Sequence, residues 1–453
     1  MGTKAGDIIK GARAKPWRVL PLPGLFTLTL GHVALIMSIL IGAALRLVGL
    51  GRNSFWTDEL YVVWEGRQPL DVLFNPMLHV QHPPGYRLAL HIWMGVGTAE
   101  TWIRLLPALA GIALIPVAWA LAKTLWPEHE SAAGLAALFV ATSPFLLHYS
   151  QDATNYSWTT IWVALSALLL INAWRKDRGW LWAAWAVSLA VTSYSYYYTI
   201  FPIMLEAGAA ICVGLWGMRL KHEGAARRLL HAALAVVVAL ILYSPWAVVL
   251  MLNRDAIQSP LFPLYWDGYP VVWIPQLLVG FPNDIFWQSP WGLYLGWAIF
   301  LVGTGYLLLR ITLRRTRGTM YALAVFLWGL ASILGAYIAQ RLTAPPPDVA
   351  DWVRFAAFAA PALLLGIAAL LAKLRPPFKV IAVGVWLLLA VVQWQGELAA
   401  PPRQDWRGVY STLSAQAKHG DALLAFTAFH AGAAAAYYPL PVHFRTKSAA
   451  ANL

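Results

Sequence analysis

The chain has 453 residues, of which 60% are hydrophobic and only 12% charged, against about 25% charged in a soluble protein, so a soluble globular domain is excluded. The net charge of +13 falls in short clusters between apolar runs. No basic stripe is interleaved with aromatics, which excludes nucleic acid as a partner, and the single Cys212 excludes a disulfide framework or thiolate metal cluster.

A basic segment, 1–26, precedes the first apolar run. Runs long enough to cross a bilayer follow near 27–48, 102–124, 131–148, 156–174, 180–197, 199–217, 229–251, 293–312, 320–340, 354–373 and 379–396. With the N-terminus in the cytoplasm and sides alternating, 20 of the 33 Lys and Arg but only 5 of the 20 Asp and Glu lie inside. That positive-inside bias supports the whole alternation. The sequence thus predicts an all-α polytopic membrane protein of about 11 transmembrane helices, N-in and C-out, multi-pass in the plasma (inner) membrane. The membrane domain spans 27–397. Its outer side carries two long loops: 49–101, with amphipathic helical stretches including 85–96, and 252–292, rich in aromatics and prolines. The polar tail, 398–453, reads as a small outer α/β module, with a helix over 408–418 and a strand over 421–426.

Four polar groups fall on the outer side. In chain order they are Asp58-Glu59, His82-Pro83-Pro84 with Tyr86, Arg104 at the mouth of the second span, and Tyr149-Ser150-Gln151-Asp152 with Asn155-Tyr156. Each has a plain structural reading: a loop charge, a helix start, a headgroup anchor or an N-cap. Acids beside a membrane are costly unless solvated, paired or working, and all four on one face argue for a site. Adjacent acids on an extended segment point apart, so Asp58 and Glu59 are expected to do different jobs.

The runs Phe55 to Tyr61, His82 to Tyr86, Arg104-Leu105-Leu106-Pro107-Ala108-Leu109-Ala110-Gly111 and Ser143 to Tyr156 occur in that order. Together they resemble the polyprenyl-phosphate-sugar-dependent glycosyltransferases of the protein O-mannosyltransferase and aminoarabinose-transferase type, with the C-type membrane fold. Arg354-Phe355 leading to Pro361-Ala362-Leu363, then Asp405-Trp406-Arg407, is similar to the later part of bacterial members. The chain departs from the family at Asp152, where members often have Glu, and at Thr154, where they often have Arg.

The resemblance implies a lipid-phosphate donor carrying one sugar. It also implies a glycan, lipid or protein acceptor at the outer (periplasmic) face, and it leaves the oligomeric state open. A phosphodiester-linked sugar already has a good leaving group, so the chemistry needs a base for the acceptor hydroxyl and cations for the departing phosphate. Asp58 is the expected base, with Glu59 orienting the acceptor or tuning its neighbour's charge. Arg104 is the expected phosphate ligand, followed by Arg354, Arg341 and His82. Asp152 with Gln151 and Asn155 is expected to hydrogen-bond sugar hydroxyls or brace the base, Tyr86 and Tyr149 to lie around sugar or acceptor, and the aromatic loop 252–292 with Tyr194 to Tyr198 to form apolar walls. In-line attack predicts inversion. No cofactor is required on this reading, although Asp58, Glu59 and Asp152 have the oxygen chemistry for one divalent cation. The alternatives are a transporter or flippase of lipid-linked sugars, for which Glu206 is the one intramembrane acid of interest, and a lipid-linked oligosaccharide ligase.

Overall fold

The computed structural model describes residues 29–76, 82–253, 270–280, 291–313, 316–343, 349–399, 404–416, 418 and 428–438. Among these residues every regular element is a helix, as required of backbone that must satisfy its own polar groups within lipid. In chain order they are α1 (Leu30–Leu47), α2 (Thr57–Gly66), α3 (Leu70–Leu73), α4 (Gly85–Met94), α5 (Glu100–Leu125), α6 (Glu130–Thr142), α7 (Pro144–Ser150), α8 (Tyr156–Lys176), α9 (Gly179–Ser195), α10 (Ile200–Arg219) and α11 (Ala225–Leu252). Then follow α12 (Pro270–Val279), α13 (Trp291–Leu313), α14 (Arg317–Thr343), a 3-10 segment Val349–Ala359, α15 (Ala360–Ala372), α16 (Pro376–Ala399), α17 (Trp406–Gln416) and α18 (Ala428–Tyr437).

Among the described residues, 9 helices are long and apolar enough to cross a membrane, and each lies at one of the predicted runs. The other two predicted runs are helical too. The run 180–197 is α9, of 17 residues. The run 131–148 is α6 and α7, bent by 54° at their junction.

That bend has a local cause. Pro144 cannot donate to the preceding turn, and the Ser143 side chain instead caps the new helix by accepting from Leu146 N–H. The carbonyls freed at the end of α6 are taken up by Arg46 of α1, which is fully buried. Its Nη1 donates to Ala141 O at 2.9 Å and its Nη2 to Val140 O at 3.0 Å. A cation at a helix C-terminus also complements the dipole there. Gly111 allows this packing, because a Cβ there would meet Ser150 Oγ at 2.2 Å and Arg46 Nε at 2.8 Å.

Of the three apolar clusters among the described residues, one joins α8 to α9, α10 and α11, and two others organise the rest. The larger joins α5, α6, α8, α12, α14 and α15 within the spans. The second lies at one end, where Phe55, Leu60, Val63, Tyr86, Leu90 and Ile103 pack with Tyr410, Ala433 and Ala434. The described part of the tail thus packs into this cluster. Its helices α17 and α18 share a core with the first loop, which resolves how so short a segment is stabilised. The expected strand, 421–426, lies outside the described residues, as does most of the loop 252–292. Within that loop α12 is described, and its Trp273 is buried against Tyr337 (centroids 5.6 Å apart) instead of lining an open wall.

Candidate active site

Asp58 and Glu59 sit in the first turn of α2, not on an extended segment as the sequence reading assumed. Acids there complement the helix dipole, and Glu59 accepts the Trp56 N–H at 3.3 Å as in a capping box. Neighbours on a helix diverge by about 100°, so the expected division of labour survives by a different geometry.

Glu59 is buried, with its side chain 1% exposed, whereas Asp58 is 37% exposed. Both Glu59 oxygens are engaged by Arg104, Nε at 2.7 Å and Nη2 at 2.6 Å. Oε1 also accepts Ala153 N–H at 2.8 Å. Arg104 gives its remaining N–H groups to the carbonyls of Leu50, Asn53 and Ser54. All five donors of the guanidinium are thus committed to the protein. Arg104 is a buried clamp that fixes 50–54 and α2 to α5, and it has no donor to spare for a phosphate. The assignment of Arg104 as the first phosphate ligand is corrected accordingly.

Arg354, in contrast, pairs with Asp58. Its Nη1 is 2.9 Å from Asp58 Oδ2, with side-chain exposures of 16% and 37%. The guanidinium lies 5.5 Å from the ring centroids of both Trp56 and Phe355, a geometry of cation–π contact. The 3-10 segment before α15 carries Arg354 to this position. Arg341 lies in α14, with its side chain outside the described residues.

The other expected residues divide into two groups. Asp152 is buried and accepts Trp56 Nε1–H at 3.3 Å, bringing it to the Asp58 side of α2. His82 stacks near Tyr196 at 5.1 Å and Tyr156 at 6.5 Å. Tyr149 packs edge-on to Tyr156 at 5.2 Å. Phe355 closes the same cluster at 5.8 Å from Tyr198 and 6.1 Å from Tyr196. Tyr86 is fully buried and its hydroxyl makes no hydrogen bond. Burial, with Asp152 and Glu59 nearby, holds that phenol well above its ordinary pKa, so it stays a proton donor.

Two residues serve the scaffold. Gln151 donates through Nε2 to Leu45 O, Arg46 O and Val48 O at the end of α1. Asn155 donates to Ser195 O at 3.0 Å, fastening α8 to the end of α9. Both are therefore corrected from sugar contacts to braces. The oxygens proposed for a cation do not converge either, since Glu59 is saturated by Arg104, Ala153 and Trp56. Among the described residues no three His, Cys, Asp or Glu side chains are grouped to hold a metal.

Sequence reasoning missed Trp56, Phe355, the buried pair Arg87–Glu65 (2.6 Å) and Gln404. Gln404 Oε1 accepts the Thr57 N–H at 2.9 Å and also the Thr57 hydroxyl. Only the Asp58-adjacent aromatics carried a signal, a Trp beside an acid in an otherwise apolar chain.

Residues 81–249 match the family model of dolichyl-phosphate-mannose-protein mannosyltransferase. No curated protein matches the chain. Among solved structures, ArnT from Cupriavidus metallidurans bound to undecaprenyl phosphate is similar with TM-score 0.51 and 17% identity, covering 77% of this chain and 62% of that one. The archaeal oligosaccharyltransferase AglB from Archaeoglobus fulgidus, in complex with an inhibitory peptide and a dolichol-phosphate, is similar with TM-score 0.52 and 13% identity. That match covers 91% of this chain and 60% of that one. The chain thus spans about six-tenths of the length of these two proteins. The chain has the C-type fold of the polyprenyl-phosphate-sugar-dependent membrane glycosyltransferases, and its residues 81–249 resemble their mannosyltransferase family in sequence.

Proposed function

We propose that the chain is a glycosyltransferase that moves a single sugar, with inversion, from a polyprenyl-phosphate carrier to an acceptor hydroxyl or amine at the outer face of the membrane. The observation that carries this reading is the Asp58–Arg354 pair, a half-exposed carboxylate and a guanidinium 2.9 Å apart among aromatic faces. The match to the mannosyltransferase family model supports it, as does a fold shared with proteins solved with undecaprenyl phosphate and with dolichol-phosphate.

The donor phosphate binds Arg354, whose planar N–H fork suits phosphate oxygens. This competes with the carboxylate and leaves Asp58 open toward the acceptor. The acceptor oxygen attacks the anomeric carbon, the bond from that carbon to the phosphate oxygen breaks, and the polyprenyl phosphate departs with the electron pair. Asp58 takes the acceptor proton, and Arg354 meets the charge that grows on the leaving phosphate. Trp56, Phe355 and Tyr198 offer the flat apolar surfaces for sugar and isoprenoid.

Asp58→Asn tests this directly. Transfer should fall by roughly 10²–10⁴-fold, the usual worth of a general base, while the purified variant still binds polyprenyl-phosphate sugar. Near-normal turnover in that variant would sink the proposal. Glu206, the residue a transporter reading needs, is tied down, accepting Ser166 Oγ–H at 2.6 Å and Trp185 Nε1–H at 3.2 Å.

A further inference from the structure

Away from Asp58, a half-enclosed cavity of about 460 Å³ lies between α5, α8, α10, α14 and α15. This is within the range of about 300–1,000 Å³ typical of ligand pockets. Small side chains on facing helices hold it open: Ala164, Ala167, Ala209, Ala210, Ala324 and Ala362. Its lining is otherwise apolar save for Glu206 in its depth and Arg175 at its rim. The bonds from Ser166 and Trp185 both run to Oε2 of Glu206, so the acid ties three helices together along one wall.

The rim is basic. Arg175 is exposed, gives one N–H to Thr124 O at 2.6 Å, and lies 5.8 Å from the Tyr321 ring centroid. Lys176 ends the same helix, and Lys123, Arg219 and Arg317, all exposed, lie at the ends of α5, α10 and α14 on that side, which the charge distribution places at the cytoplasmic surface. Along α8, the lining residue Ala164 is eleven residues from Arg175, so the cavity reaches about 16 Å inward from the rim. An apolar slot of that depth under a guanidinium matches a lipid with an anionic phosphate, as basic pockets between membrane helices on the cytoplasmic side do elsewhere.

We infer that this cavity is a binding site for one anionic glycerophospholipid of the inner leaflet, with its phosphate on Arg175 and an acyl chain in the slot. The site is independent of the transfer reaction and of the Asp58 assignment. The test uses the full chain, delipidated in detergent and offered phosphatidylglycerol or phosphatidylcholine with identical acyl chains. Native mass spectrometry should find one phosphatidylglycerol retained per chain, at least tenfold over phosphatidylcholine, and the melting temperature should rise with it. Arg175→Ala should remove that preference. Ala324→Phe and, separately, Ala209→Phe should fill the slot and abolish retention in chains that still melt cooperatively. Equal retention of the two lipids, or retention indifferent to the filled slot, would mean annular lipid and overturn the inference. Displacement of phosphatidylglycerol by equimolar undecaprenyl phosphate would also overturn it, assigning the slot to the donor chain.

Discussion

Gln404 caps the helix that begins at Thr57, although the two residues are separated by 347 positions. Its Oε1 also accepts from Trp406 Nε1 at 2.9 Å, so one amide oxygen joins the tail to the segment that presents Asp58. Around this bond, Phe55 N–H donates to Tyr438 Oη at 3.1 Å, and Tyr438 donates to Glu100 Oε1 at 2.6 Å. Ser54 Oγ donates to Gln404 O at 2.8 Å. The tail grips the residues on either side of the first turn of α2.

Gln404→Ala should therefore act on catalysis through position alone. The lost cap destabilises α2 by roughly 0.5–2 kcal/mol. Turnover should drop several-fold with little change in donor KM. Gln404→Glu, which keeps an acceptor oxygen, should restore most of it. Steady-state kinetics on the three proteins check this, and a change confined to KM would contradict it.

Breaking the Glu59–Arg104 clamp should damage the fold more than the chemistry. Removal of either partner strands a buried charge, at a cost of about 3–5 kcal/mol. Glu59→Gln and Arg104→Ala should each lower the melting temperature sharply. The double variant Glu59→Gln with Arg104→Ala should cost less than the two single changes combined. Additive costs would show that the two side chains do not act as a pair.

Arg354→Ala should raise donor KM and lower kcat together with a near-normal melting temperature, the reverse of Arg104→Ala. Arg354→Lys should recover only part, because a point charge does not reproduce the planar fork. A loss of stability without a change in KM would return Arg354 to a structural role.

The tail should loosen in alkali. Burial, with Glu100 close by, pushes the Tyr437 phenol up to about 12 from its ordinary 10.0, and burial with the bond to Glu100 raises Tyr438 in the same direction. An acid whose pKa is raised by folding binds more protons folded than unfolded, so its contribution to stability is complete below pH 10 and is lost as pH climbs toward 12. Proteolysis at the tail and phenolate absorbance should rise together in that window. Tyr437→Phe with Tyr438→Phe should flatten the absorbance change.

Gly85→Ala should push α4 away from α9. A Cβ at Gly85 would approach Tyr194 O at 2.5 Å, and a backbone oxygen does not yield as a side-chain tip would. The neighbouring His82–Tyr196 contact should be disturbed, giving lower activity at near-normal expression. Unchanged activity would separate α4 from the site.

The membrane architecture was legible because hydropathy and Lys/Arg placement are one-dimensional signals that lipid enforces segment by segment. Where described, all eleven predicted runs are helical, including the one that bends at Pro144. The candidate site was legible only as a set of segments that come together: Asp58, His82, Tyr149, Asp152 and Arg354 lie near one another. Roles within it were not. Whether an arginine faces a ligand or a carboxylate depends on three-dimensional partners, so Arg104 ranked ahead of Arg354 in the sequence although Glu59 engages Arg104 on both oxygens. The expectation for Gln151 failed because helix-end carbonyls, which attract such a side chain, leave no trace in sequence spacing. Gln404 was invisible for the same reason, since its partner is at the opposite end of the chain.

That distance has a bearing on biogenesis. The first loop is synthesised early, yet the groove that seats Phe55 to Thr57 is completed only when Gln404 and Tyr438 leave the ribosome. Until then the nascent polypeptide holds an acid-bearing loop without its latch, so ripening of the fold is a late event, after nearly every span has been inserted.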